Sequence, residues 1–284
     1  MTLIVGIICA DGIVMGSDTQ TTYSAYGTKL LDQNKFSIVR FRDSAVLVGE
    51  SGSVNLANRT IQIFEKKAKE INSQNSDDVV AQTLKEAIRE TRNERMSIET
   101  AGAYSLEGWQ KFFMENGMSL MVAYYFKETP LIYKVSIDDC IPIKCPTHFS
   151  CAGCGESFGA YLLNEFSSPG MDSAIVSTLA VKAIDESTKY VDGCGLPIKL
   201  AWLKAPKAQP KDFLVMPYMP MMFEDYICIF PSERVEEIVQ MIRRTDISTK
   251  ADRVKEFETI LKANIIRYLR HMFKLIKKRN PRLA

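Results

Sequence analysis

The chain begins with two apolar, β-branched runs, TLIVGII at 2–8 and IVMGSD at 13–18, joined through CADG at 9–12. Valine and isoleucine suit a pleated, half-buried surface, and Asp-Gly readily adopts the conformation of a tight hairpin turn, so the pattern predicts an antiparallel hairpin. KFSIVRF at 35–41 and AVLVGE at 45–50 read as two further strands. Apolar spacing then changes to the helical period. It predicts helices over about 53–72, entered at Ser53, and 77–96, capped by Ser76 with Asp77 and Asp78 in its first turn. Residues 97–117, with Gly102, Gly108 and Gly117, read as a loop or insertion. Strand patterns return in SLMVAYYF (119–126), LIYKVSI (131–137) and HFSCAG (148–153). A second helix pair is expected at 156–166 and 173–190, followed by the strand IKLAWLK at 198–204.

Hairpin strands alternating with separate helix pairs place the chain in the α+β class. Two packed antiparallel sheets with a helical layer on each outer side satisfy the apolar faces. A boundary falls in KAPKAQPKD, 204–212, where proline and lysine accumulate. It divides a unit at 1–204 from an extension at 205–284 that is mainly helical. The extension begins with an apolar stretch interrupted by Pro217 and Pro220, and helices are predicted at about 232–244 and 250–278. The last has a capping box from Thr249 to Asp252 and one apolar stripe, Val254, Phe257, Leu261, Ile265, Tyr268, Met272 and Ile276. From Lys262 onward it carries eight basic residues and no acid, which reads as a solvated face favoured by the dipole at a helix C-terminus.

Composition narrows the partners. With 284 residues, 46% hydrophobic and 25% charged, the chain can bury a large core, and a net charge of +2 favours neither nucleic acid nor membrane. No apolar run is long enough for a membrane span or has a basic leader, so a cytoplasmic location in a reducing compartment is expected. Seven cysteines and only two histidines argue against a zinc centre, and no cofactor or metal is expected. Cys151 and Cys154 have CxxC spacing but lack the βαβ context of a redox motif. Thr2 stands out because removal of Met1 would expose a hydroxyl and an α-amine on one residue, a known way of activating a weak nucleophile.

Thr2 with IVGI, DGIVMGSDTQTT, NKFSIV, VLVGESG and CAGCGESFGAYLL resemble, in order and spacing, the β-subunits of the proteasome and their simpler bacterial relatives over residues 2–203. The resemblance implies a four-layer αββα sandwich, the amino-terminal-nucleophile hydrolase fold. It also implies assembly of identical subunits into a ring and cleavage of peptide bonds in a peptide or protein substrate. By motif position Thr2 matches the nucleophile, Asp18 the acid of GSD, Lys35 the essential lysine and Gly49 the oxyanion-hole glycine. An α-amine titrating near pH 8 suits proton removal from the hydroxyl, an adjacent ammonium keeps that amine neutral, and a carboxylate fixes the ammonium. Family alignment places Thr21, Gln33, Leu47 and Ser51 around the substrate side-chain pocket. Because only Leu47 is strongly apolar, a small or medium neutral side chain is expected there.

The chain also departs from the pattern. Cys154 stands where the family has the serine of its GSG turn. Cys194 and Val191 stand where it has a second serine and a supporting acid, with Asp192 one residue from the acid's position. Cysteine is the poorer hydrogen-bonding group. Cys154 or Cys194 as nucleophile would lack a histidine partner. Two other readings are a catalytically inactive ring or scaffold subunit whose extension docks a regulatory partner, and an amidase or ligase acting on a small substrate.

Overall fold

A computed structural model of the chain describes residues 2–23, 28–30, 33–99, 117–206, 227–229 and 235–240. The expected loop at 97–117 falls largely outside the described residues, as do the helix at 250–278 and all of that at 232–244 except a helical stretch at 235–240.

The opening hairpin forms as the alternation predicts: β1 (Leu3–Cys9) pairs antiparallel with β2 (Gly12–Asp18), Ile4 opposite Ser17. Neither strand stays at an edge. β10 (Phe149–Gly153) adds beside β1, and β11 (Ile198–Lys204) beside β2. The sheet order is therefore β10-β1-β2-β11-β12. The outermost strand, β12 (Ile227–Ile229), comes from beyond the 204–212 boundary, so the chain after residue 205 returns to complete this sheet. A two-stranded ribbon, β3 (Thr21–Tyr23) with β4 (Thr28–Leu30), leads to the second sheet. That sheet runs in chain order: β5 (Phe36–Arg40), β6 (Ala45–Gly52), β7 (Met118–Phe126), β8 (Thr129–Ser136) and the two-residue β9 (Ile143–Lys144).

Helices α1 (Val54–Ala68) and α2 (Val79–Glu99) cover the outer face of the second sheet; Phe64, Leu84 and Ile88 pack there on Val46, Val48 and Val122. On the opposite outside, α3 (Glu156–Phe166) and α4 (Ser173–Tyr190) bury Leu163, Leu179 and Ile184 against Leu3, Val5 and Ile7. Between the sheets lies a third apolar layer, with Ile4, Ile13 and Met15 facing Phe36, Leu47, Met121 and Ile132. Strand residues thus divide by parity between the inner layer and a helical one, and the result is an αββα sandwich.

The first helix pair departs from the predicted bounds for a local reason. Asp43 accepts hydrogen bonds from the backbone N–H groups of Ser73 (2.8 Å) and Gln74 (3.0 Å), which holds a short 3₁₀ turn, Ser73–Asn75, between the helices. Ser76 accepts from the Asp78 N–H at 3.3 Å, so Asp77 and Asp78 lie in a turn and α2 begins at Val79.

The turn of the opening hairpin also fixes a helix 162 residues away. Asp11 accepts the Ser173 N–H at 2.8 Å and the Ser173 hydroxyl at 2.5 Å, while Asp172 caps α4 by accepting the Ile175 N–H at 2.9 Å. Asp11→Ala leaves two donors at the start of α4 without this acceptor. Urea titration of the variant should show a loss of about 2 kcal/mol, the scale of orphaned, partly buried donors. A loss below about 0.5 kcal/mol, the range of ordinary surface substitutions, would show that α4 is placed by its apolar face alone.

Candidate active site

Hairpin register brings the start of β1 beside the end of β2, and with it Thr2 beside Asp18. Asp18 is fully buried and accepts the Leu3 N–H at 2.9 Å through Oδ1 and the Gly195 N–H at 3.1 Å through Oδ2. Lys35 arrives from the other sheet, immediately before β5, where its carbonyl accepts the Glu50 N–H at 3.0 Å. Its Nζ spans the gap between sheets, lying 3.3 Å from Asp18 Oδ1 and donating to the Gln20 carbonyl at 2.6 Å and to Thr2 Oγ1. All three side chains are buried, Thr2 at 3% exposure and Lys35 at 4%.

Burial governs the charges. Loss of hydration raises the Asp18 carboxyl above the ordinary carboxylate range, opposed by Lys35 and by the Leu3 and Gly195 N–H groups. The same effect lowers Lys35 from the usual lysine value, opposed by Asp18 and more weakly by Cys194 and Cys154. A lysine held below its normal range against a hydroxyl oxygen can exchange a proton with it. This is the chemistry the threonine lacks on its own.

Thr2 and Lys35 open onto a small cleft whose other walls are Glu50, Ser51, Gly52, Val54 and Ala57. Gly52 ends β6 with φ +92°, and a Cβ there would stand 2.1 Å from the Gly117 carbonyl oxygen, so only glycine fits. Directly after it the N-terminus of α1 enters the wall through Val54, bringing unsatisfied N–H groups and the positive end of the helix dipole. On the far side of Thr2, Gly153 (φ +101°) makes an equally close approach: its Cβ would meet the Thr2 carbonyl oxygen at 2.0 Å. The two glycines allow backbone to close around the threonine from both sheets.

Glu50 is 7% exposed, and its Oε2 has no hydrogen-bond partner among the described residues. Burial lifts its carboxyl to about 7 against the attraction of Lys35. Next to Thr2 lie two thiols. Cys154 Sγ is 3.5 Å from the Thr2 carbonyl oxygen, 3.8 Å from that of Asp192 and 3.6 Å from Cys194 Sγ.

The structure thus brings Thr2, Asp18, Lys35, Cys154 and Cys194 together, with Ser51 on the cleft wall. Gly49 and Leu47 are not among the residues that wall the cleft. Both face the layer between the sheets, where Leu47 is fully buried and Met15 and Ile4 occupy the space beside Gly49. The cleft is walled instead by Gly52 and Glu50, three residues further along the same strand in each case. Gln33 is exposed, with its backbone N–H bound to the Thr19 carbonyl at 3.2 Å. Thr21 lies on β3, its side chain outside the described residues. Asp192 meets Cys154 through its backbone carbonyl rather than its exposed carboxylate. Sequence reasoning also missed the Gly195 N–H and the Gln20 carbonyl, backbone groups whose role depends only on where the chain passes.

Four layers with a buried threonine at the start of the first strand, in contact with a lysine and beside a carboxylate, define an amino-terminal-nucleophile type of fold. The sequence pattern of the Proteasome subunit family matches residues 2–202, and the chain belongs to that family. Among solved structures it is similar to Anbu, the ancestral beta-subunit, from Yersinia bercovieri, with 13% identity, a TM-score of 0.60, and coverage of 87% of this chain and 99% of that one. It is also similar to the Gly-1 mutant of Anbu from Hyphomicrobium sp. strain MC1, with 15% identity, a TM-score of 0.58, and coverage of 74% and 85%. At such identities the likeness concerns the fold. No curated protein matches the chain in sequence.

Glu50 makes stability depend on pH. Between its ordinary value of 4.5 and about 7 the folded protein holds a proton that the unfolded chain has released, so stability falls as pH rises through that window. Glu50→Gln should therefore be more stable than the natural protein by about 3 kcal/mol at pH 8, with the difference vanishing below about pH 4.5. Urea denaturation of both proteins across this range checks the sign. Equal stability at pH 8 would mean that Glu50 is solvated when charged.

Proposed function

We propose that the chain is a threonine-type peptidase or amidohydrolase. Residues 1–204 form the catalytic unit and 205–284 an extension, and the chain works as a homo-oligomeric ring in the cytoplasm. The contact of Lys35 Nζ with Thr2 Oγ1, backed by Asp18, carries this reading. After removal of Met1, Thr2 Oγ1 attacks the substrate carbonyl while its proton passes to the new α-amine, which the neighbouring Lys35 ammonium keeps neutral beforehand. The developing oxyanion is received by the Gly52 N–H and the N-terminus of α1, where preorganised donors act with little reorganisation. The amine leaves with a proton returned by the α-amine, and water then cleaves the Thr2 ester.

The Glu50 oxygen in the cleft, without a hydrogen-bond partner among the described residues, supports a substrate side chain that carries a hydrogen-bond donor or a positive charge. This replaces the neutral preference expected from Leu47, which does not reach the cleft.

The nucleophile is tested with an electrophile that bridges a hydroxyl and an α-amine. The natural protein should be labelled on Thr2, whereas Thr2→Ala should not be labelled, and Lys35→Met should lose labelling by about a hundredfold or more. Met1 retained in the intact mass, or labelling that persists in Thr2→Ala, would exclude the reading. In peptide hydrolysis, preference for lysine or arginine over leucine before the scissile bond should rise as pH increases through about 7. That preference should fall by about tenfold in Glu50→Gln, the value of one charge-assisted contact.

A further inference from the structure

Cys154 and Cys194 come from turns 40 residues apart, yet their sulfurs lie 3.6 Å from one another at the edge of the Thr2 site. Their positions differ in the way that matters for thiol chemistry. Cys154 is exposed, whereas Cys194 is only 6% exposed. A hydrogen bond from the Cys194 thiol stabilises the Cys154 thiolate and holds Cys154 at about 6, against its own burial; the same partnership raises Cys194. The exposed sulfur is thus ionised near neutral pH and the buried one keeps its proton, the arrangement of an attacking and a resolving cysteine.

The sequence motif points to a different pair. Cys151, which completes the CxxC spacing with Cys154, is 4% exposed in the layer beneath α3, its sulfur against Gly159, and burial pushes it up to about 12. Cys145 donates to the Phe149 carbonyl.

We propose that Cys154 and Cys194 are an oxidation site: a dithiol that closes to an intramolecular disulfide beside Thr2 and reversibly disables the site. The oxidant is a hydroperoxide. The Cys154 thiolate attacks one peroxide oxygen, the O–O bond breaks and a sulfenic acid forms with release of hydroxide. The Cys194 thiol then attacks that sulfur. An S–S bond forms, the S–O bond breaks, and the hydroxyl leaves with the Cys194 proton as water. Two thiols lose two electrons and two protons, and hydrogen peroxide becomes two waters. In a reducing compartment such a pair rests as the dithiol and closes only under oxidant.

The link to catalysis is geometric, and it rests on the peptidase reading above. Bonding at about 2.05 Å requires the sulfurs to approach by about 1.5 Å. Each sulfur sits between glycines whose backbone supports the site. Gly153 lies against the Thr2 carbonyl, and the Gly195 N–H holds Asp18 Oδ2. Drawing the two turns together moves the supports of both nucleophile and carboxylate.

The test uses the full chain treated with hydrogen peroxide, alkylated, digested and mapped by mass spectrometry. The expected result is a peptide pair linked through Cys154 and Cys194 that disappears on treatment with dithiothreitol. In Cys194→Ser, Cys154 should instead proceed to sulfinic acid. If that variant does not fold, the map of the natural protein decides. Cys194 remaining alkylatable throughout, or Cys154 linked to Cys151, overturns the proposal. Labelling of Thr2 by the bridging electrophile should fall at least about tenfold on oxidation and recover on reduction, within the scale on which a displacement of about 1 Å acts. A linked pair with unchanged labelling overturns the effect on the site. A linked pair without labelling in either state supports the dithiol and overturns the peptidase reading, whereas labelling without a linked pair does the reverse.

Discussion

Asp18 is the point at which the two halves of the molecule are held in a common geometry. One fully buried carboxylate accepts the Leu3 N–H from the first strand and the Gly195 N–H from the turn before β11, and it faces the ammonium of Lys35 from the opposite sheet. A buried charge is costly unless its lone pairs are satisfied, and here each partner is supplied by a different part of the chain. The carboxylate therefore places Thr2, Lys35 and the Cys194 turn relative to one another. Without this acceptor, the ammonium that crosses between sheets would lose its opposite charge while remaining out of water.

The sandwich around this cluster is a means of burying it. Parity along each strand sends one set of side chains into the layer between the sheets and the other beneath helices, which leaves the strand ends as the places where polar groups can gather. The site lies at such an end. Its walls are made where β6 hands over to α1 and where β10 hands over to α3, and at both junctions a glycine at positive φ lets backbone approach more closely than any side chain would permit. Of the departures from the family's serines, Cys154 falls at the second junction and Cys194 in the turn before β11, so the chemistry beside the Lys35–Thr2 contact changes while the fold is kept.

Much of this was legible in the sequence. Alternation and Asp-Gly predict the opening hairpin, and its register alone brings Thr2 near Asp18. Helical periodicity finds the four helices α1 to α4 among the described residues. The errors have physical causes. Gly49 and Gly52 both look like strand-end glycines in VGESG, but β6 continues to Gly52, and a side chain at Gly49 would point into the inner layer beside Met15 and Ile4. Leu47 looks like a pocket wall by its chemistry, yet strand parity sends it into the core. Glu50 is not singled out in the sequence because its burial depends on the cleft that β6 and the start of α1 form together. β12 was hidden by the prolines that precede it, and the thiol pair by sequence separation, since the CxxC spacing drew attention to Cys151. The Gly195 N–H and Gln20 carbonyl carry no residue-type signal at all.

The strand order of the first sheet bears on how the protein is made. Strands β1 and β2 are made well before both of their neighbours, β10 and β11. The second sheet, by contrast, is drawn from one continuous stretch, residues 36–144, and can pair during synthesis. A nascent chain thus carries its threonine on a hairpin with both outer edges open, and the Gly195 donor that completes the carboxylate's partners follows 177 residues after Asp18. Topology alone delays the full set of Asp18's partners until the turn before β11 has been made.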